Sequence, residues 1–271
     1  MEIDKRKIVI WCDGSPNQKA LAVKIAQQFP VAGIVIDKKG SIVKKRELRK
    51  IPSLILDRLW FRSVYNPWKK MQEYFRRLHP VWPDVPMITV SSINSSEAEI
   101  FTRQLNPDLI VVSGTELIKK PMLDIPARIG IVNLHTGLSP YVKGGPNCTN
   151  WCIANNDWHL IGSTIMWINA GIDSGNIITS ETIDIRKTGN LLEAHKVVME
   201  HAHQLYIRAI RYLMTHSPPY QSIPQKTLGN GRLFLTKMWT TDKRNQLLKN
   251  WKIKNKSELQ ELPVCVSLPV D

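Results

Sequence analysis

DLIVVSGTELIKKPMLDIPARIGIVNLH (108–135) contains two continuous apolar runs, DLIVVSG (108–114) and GIVNLH (130–135). Neither alternates apolar with polar residues, so each reads as a strand buried on both faces, the pattern of a parallel sheet covered by helices. Working outward, KIVIWC (7–12) and VAGIVID (31–37) repeat the pattern. Between them, residues 15–29 read as a helix, with Ser15 in the capping position and Pro16 at the first helical position. MITV (87–90) adds a short strand and leads into a helix capped by Ser95 or Ser96. The first half is therefore expected to be an open, doubly wound α/β domain with a mostly parallel sheet.

Toward the carboxyl terminus, LIGSTIMWI (160–168) is a further apolar strand. TGNLLEAHKVVMEHAHQLYIRAIRYLMTHS carries a helical apolar pattern long enough to cross the sheet. Its histidines, His195, His201 and His203, do not share a face, so no metal site is expected there. After SPPY (217–220) only short pieces remain, including GRLFL and the helix-like TTDKRNQLLKNW. The expected organisation is a main domain over 1–216 and a short extension over 217–271 that packs on the core or forms a homodimer contact.

Composition fits this architecture: 271 residues, 43% hydrophobic and 22% charged, exclude a disordered tail or a fibre. No stretch approaches the roughly 20 apolar residues needed to span a bilayer, and a cytoplasmic protein is expected. Four cysteines in a chain of this length do not make a disulfide framework, and the Cys148/Cys152 pair lacks a second ligand pair for zinc. The net charge of +14 is local, since residues 38–77 hold 13 Lys or Arg against 3 acids. That basic excursion, 38–80, interleaves Trp60, Phe61, Tyr65, Trp68, Tyr74 and Phe75 with its charges. Three readings are open: a phosphate-facing patch with stacking aromatics, an amphipathic helix on an acidic membrane, or a helix whose aromatics pack on the main domain.

In doubly wound sheets, ligands bind beyond the carboxyl ends of the strands. Asn133 and His135 occupy alternate positions at such an end, hence one face. Asp173, between Gly171 and Gly175, follows the 160–168 strand in a tight loop. A buried Asp can orient an imidazole, and an Asn amide can donate to an oxyanion. The trio suits attack on a carbonyl without a covalent protein intermediate: no GxSxG elbow is present, and neither Cys148 nor Ser139 has a base assigned to it by sequence. CDGSPNQ (12–18) offers an anion site at a strand-to-helix turn, through Gly14, Ser15 and Asn17, with an ordinary helix start as the alternative. The loop 139–147, with Tyr141, Lys143, Gly144 and Gly145, is expected to line a substrate.

NLHTGLSPY, followed by GSTIMWINAGIDSGNII, resembles the folate-dependent formyltransferase family, and NPDLIVVSGTELIKKPML resembles the strand and loop that precede them there. The family includes glycinamide ribonucleotide, methionyl-tRNA and nucleotide-sugar N-formyltransferases. The resemblance implies a Rossmann-like formyltransferase fold, with Asn133, His135 and Asp173 as the catalytic trio. It also implies N10-formyltetrahydrofolate as co-substrate, its pterin against Leu117, Ile118 and Lys119 and the loop Asn169, Ala170, Gly171 and Ile172. Lys143 departs from the arginine of many relatives, which puts a phosphate contact there in question. The acceptor expected first is the amine of a nucleotide-linked amino sugar, which fits the size of the chain. Aminoacyl-tRNA or another small amine is the second choice, and a non-catalytic folate- or nucleic-acid-binding module the third.

Overall fold

The computed structural model describes residues 6–38, 57–145, 147–256 and 260–269. Its main sheet has seven strands in the order β3-β2-β1-β4-β5-β7-β8. These are β1 (Ile8–Asp13), β2 (Val31–Asp37), β3 (Met87–Val90), β4 (Leu109–Ser113), β5 (Gly130–His135), β7 (Gly162–Trp167) and β8 (Ile177–Thr182). The first five run parallel, whereas β5 pairs antiparallel with β7, and β7 with β8. The expected mostly parallel, doubly wound sheet is thus present, with an antiparallel pair at one edge.

Strand alternation builds a core on each face. Ile8, Ile10, Cys12, Val111 and Leu134 point toward α1 (Pro16–Ala26) and α5 (Leu191–Thr215), packing on Leu21, Ile25, Leu205 and Ile210. Val9, Trp11, Val35, Ile110 and Val112 point the other way, toward Ala98 and Phe101 of α3 (Ser96–Leu105). Each strand fills two cores, which is why its sequence is continuously apolar. The buried Tyr206 hydroxyl accepts from the Val112 amide at 2.9 Å and reaches the Val132 carbonyl at 2.9 Å, tying β4 and β5 together near their carboxyl ends.

The helix after β1 starts at Pro16, as the sequence predicts, but the Ser15 side chain does not cap it. Its hydroxyl and amide both donate to Asp13 Oδ1 instead, the amide at 2.9 Å. Ser95 does cap α3, accepting from the Ala98 amide. Within the basic excursion, α2 (Arg62–Leu78) lies on α1 and α5 and buries Val64, Met71 and Phe75, with Phe61 buried just ahead of it. The aromatics within α2, Tyr65, Trp68, Tyr74 and Phe75, therefore pack on the domain, whereas Trp60 ahead of it is 81% exposed and Arg62, Lys69, Lys70, Arg76 and Arg77 stay exposed. Residues 39–56 of the excursion lie outside the described residues.

The carboxyl part folds back on the domain. β9 (Arg232–Phe234) pairs parallel with β6 (Val142–Gly144), and α6 (Thr241–Ile253) packs on α4 (Cys148–Asn155). Trp151 stacks on Phe234 at 4.6 Å, and the nearly buried Arg244 pairs with Asp57 at 2.6 Å, joining α6 to the segment ahead of α2. Among the described residues, no helix is long and apolar enough to cross a membrane.

Candidate active site

A cleft of about 650 Å³ opens along the carboxyl edge of the sheet. It spans the point where the chain, having laid β2 on one side of β1, returns to lay β4 on the other. The ends of β1, β4 and β5 bring Asp13, Ser113 and Asn133 to it, and the loop between β7 and β8 closes the far side.

Asn133, His135 and Asp173 meet on its floor. Asp173 Oδ2 lies 3.5 Å from His135 Nδ1 and accepts the Gly144 amide at 2.9 Å. His135 Nε2 donates to the Val142 carbonyl at 3.0 Å, and Cys148 Sγ lies 3.7 Å from the same nitrogen. Both imidazole nitrogens thus face acceptors. Burial works against a charge on His135, but the carboxylate of Asp173, the Cys148 sulfur and the Val142 carbonyl outweigh it and lift its pKa to about 9. The imidazolium is the resting form at neutral pH. The Asn133 side chain shows no hydrogen-bond partner among the described residues, although its backbone is paired in the sheet, and it lines the cleft. Its amide is available to a ligand.

The loop that carries Asp173 is tightly held. Asp173 adopts a left-handed φ of 45°, a conformation Asp tolerates better than most residues. Gln225, from the carboxyl extension, donates to the carbonyls of Asp173 and Gly175, each at 2.8 Å. A Cβ on Gly175 would stand 1.7 Å from the Trp167 carbonyl oxygen, so the chain can turn only on glycine there.

Of the positions expected to meet folate, Leu117, Ile118, Asn169, Gly171 and Ile172 line the cleft. Lys119 and Ala170 do not; the Lys119 amide donates to Asn94 Oδ1 at 2.7 Å, and Asn94 Nδ2 donates to the Leu117 carbonyl at 3.0 Å. Leu117 and Ile172 stay 42% and 46% exposed at the mouth, apolar surface that a flat heterocycle would cover. Of the expected acceptor residues, Ser15, Asn17, Gly144 and Gly145 line the cleft. Gly14 faces solvent, Lys143 alternates away on β6, and the Tyr141 hydroxyl donates to the Leu228 and Val264 carbonyls. Two amides of the anion site expected at the start of α1 have partners within the chain. Asp13 takes the Ser15 amide, and Gln72 Oε1 faces the Asn17 amide at 3.4 Å.

Cys148, Gln225, Trp68, Gln72 and the 234–236 segment escape sequence reasoning, since nothing local marks them as neighbours of the cleft. The four cysteines are free. Among the described residues, no group of His, Cys, Asp or Glu could hold a metal ion.

The fold is thus a Rossmann-like sheet that brings Asn133, His135 and Asp173 together in a cleft at its carboxyl edge. The chain belongs to the formyl transferase family, which it matches over residues 6–210. It is 33% identical to the methionyl-tRNA formyltransferase of Clostridium tetani over 122 residues, which is 45% of this chain and 38% of that protein. The chain thus spans well under half the length of this relative. Among solved structures, glycinamide ribonucleotide transformylase 1 from Symbiobacterium toebii is similar with a TM-score of 0.54 and 15% identity, covering 81% of this chain and 93% of that one. WlaRD, a sugar 3N-formyl transferase solved in the presence of dTDP and 5-N-formyl-THF, gives 0.55 and 14%, covering 96% and 82%. Identities this low establish the shared fold.

Proposed function

We propose that this protein is an N-formyltransferase that moves a formyl group from N10-formyltetrahydrofolate to the amine of a nucleotide-linked amino sugar. The observation that carries the chemistry is the unpaired Asn133 amide beside the His135–Asp173 ion pair on the cleft floor. Folate supplies an activated formyl group. When the amine attacks the formyl carbon, charge gathers on its oxygen, and Asn133 is positioned to donate to it. The cationic His135 adds its field to the same spot. The Asp173 carboxylate then accepts the proton released by the amine, directly or through water, and as the bond between the formyl carbon and N10 breaks a proton passes to N10, releasing tetrahydrofolate. Leu117, Ile118, Asn169, Gly171 and Ile172 would hold the pterin, whose apolar faces suit the exposed Leu117 and Ile172.

The choice of acceptor rests on the carboxyl part. We read 1–216 as the catalytic domain and 217–271 as an extension that completes its cleft, because Phe234, Leu235 and Thr236 line it. A sugar N-formyltransferase is among the similar folds over 96% of this chain. Methionyl-tRNA is the second reading, favoured by the curated relative and by the exposed cations of α2. The test is incubation with 10-formyltetrahydrofolate and a panel of nucleotide-linked amino sugars, charged methionyl-tRNA and glycinamide ribonucleotide, with mass detection of the formylated product. Formylation of a sugar nucleotide alone supports the first reading. Formylation of tRNA alone replaces it with the second.

A further inference from the structure

We infer that Gln225, from the carboxyl extension, is a positioning residue for the transfer: by holding two carbonyls of the 169–176 loop it keeps the Asp173 carboxylate against His135. This role rests on the proposed reading of Asp173 as the group that takes the amine's proton.

The loop has little else to fix it. Its apolar side chains, Ala170 and Ile172, are both exposed, so packing into a core does not set where it lies. Asn169 ties one half of it, its Oδ1 accepting the Gly171 amide at 3.0 Å and the Ser174 hydroxyl at 2.6 Å. Asp173 itself stands at a left-handed φ of 45°, which its surroundings must maintain. Gln225 Nε2 fastens the other half, giving one hydrogen to the Asp173 carbonyl and one to the Gly175 carbonyl, each at 2.8 Å.

Gln225 is in turn held in place. Ile177 and Ile223 exchange backbone hydrogen bonds at 2.8 and 2.9 Å, the Trp167 indole donates to the Gln221 carbonyl at 3.1 Å, and Asn176 Nδ2 donates to Ser222 Oγ at 3.0 Å. The segment 221–225 is thereby bound to both ends of the loop. Gln225 is 8% exposed and stands behind Asp173, outside the cleft lining, so its effect on transfer runs through that carboxylate. A carboxamide is the uncharged side chain of this length that offers two hydrogens from one nitrogen; methionine offers none. Gln225 also lies beyond residues 6–210, the part matched to the family, so the extension supplies a support that the matched part lacks.

The test is imidazole NMR titration of His135 together with formyl-transfer kinetics, on the wild-type chain, Gln225→Met, Gln225→Asn and Asp173→Asn, and on Gln225→Met combined with Asp173→Asn. Thermal melting confirms folding. Neither the Cys148 sulfur nor the Val142 carbonyl beside His135 is altered by these substitutions, so the titration reads the approach of Asp173. In Gln225→Met the pKa of His135 should fall from about 9 toward 6.5, and kcat should fall about 10- to 100-fold. Gln225→Asn, which keeps both hydrogens on a shorter stem, should lose less of each and carries the test if Gln225→Met does not fold. In the Asp173→Asn background, Gln225→Met should change neither quantity further. An unchanged His135 titration and kcat in the folded variants, or a loss of kcat that persists in full without the Asp173 carboxylate, would overturn the inference. A wild-type chain that forms no formylated product, while His135 titrates as expected in every variant, would count against the transfer chemistry and leave the support of Asp173 standing.

Discussion

Asp173 Oδ2 stands 3.5 Å from His135 Nδ1 and at the same time accepts the Gly144 amide at 2.9 Å. One carboxylate therefore sets the charge of the imidazole and fixes the lip of the cleft formed by β6. Replacing Asp173 with Asn keeps the size of the side chain and removes the charge. His135 should then titrate at lower pH in imidazole NMR, and kcat for formyl transfer should fall about 100-fold or more.

Asn133 is expected to act in the transition state and to carry little structural weight, because nothing among the described residues pairs with its amide. Asn133→Ala should lower kcat about 100- to 1000-fold while leaving the melting temperature and folate affinity close to wild type. A large rise in folate KM with kcat preserved would move Asn133 from chemistry to binding.

Stability should fall on both sides of mild acidity. His135 has a folded pKa of about 9, raised above the 6.5 of an unfolded histidine. Its contribution is complete below pH 6.5 and is lost as pH rises through 9. Burial lowers His195 to about 4 and holds His203 well below its ordinary value, so the unfolded chain takes up those protons first and stability drops as pH falls below 6.5. Denaturant unfolding across pH 4 to 10 should show this dome, and His135→Gln should flatten its alkaline side.

Gly137 is predicted to be irreplaceable for the site. A Cβ there would stand 2.3 Å from His135 Nε2, 2.8 Å from the Val142 carbonyl oxygen and 2.9 Å from Cys148 Sγ. Gly137→Ala must push the imidazole off the Val142 carbonyl. Activity should collapse with a stability loss of roughly 1–3 kcal/mol, read by melting and turnover together.

Tyr206→Phe tests the sheet beneath the site. Losing the hydroxyl strands the buried Val112 amide and the Val132 carbonyl at the centre of the domain. Chemical denaturation should show a cost of about 1–3 kcal/mol.

The sequence by itself determined the sheet. Runs such as 8–12, 109–113 and 130–135 are apolar at every position because each strand faces two cores, so both the strands and their parallel arrangement are legible locally. The antiparallel edge was not, since a strand buried on both faces looks alike in either direction. The floor of the site was legible for a related reason: Asn133, His135 and Asp173 are polar residues at the ends of apolar strands, where only a ligand or a hydrogen-bond network repays their burial. The walls were decided by tertiary structure alone. Trp68, Gln72 and Phe234 reach the cleft from segments distant in sequence, Gln225 braces the Asp173 loop from the carboxyl part, and Tyr141 and Lys143 turn away from the cleft at the strand that pairs with β9. Cys148 read as an unassigned thiol, and the fold set it against His135. Such positions follow from packing between elements, which leaves no periodicity in the chain, so composition could locate the chemistry while only the folded chain determined what surrounds it.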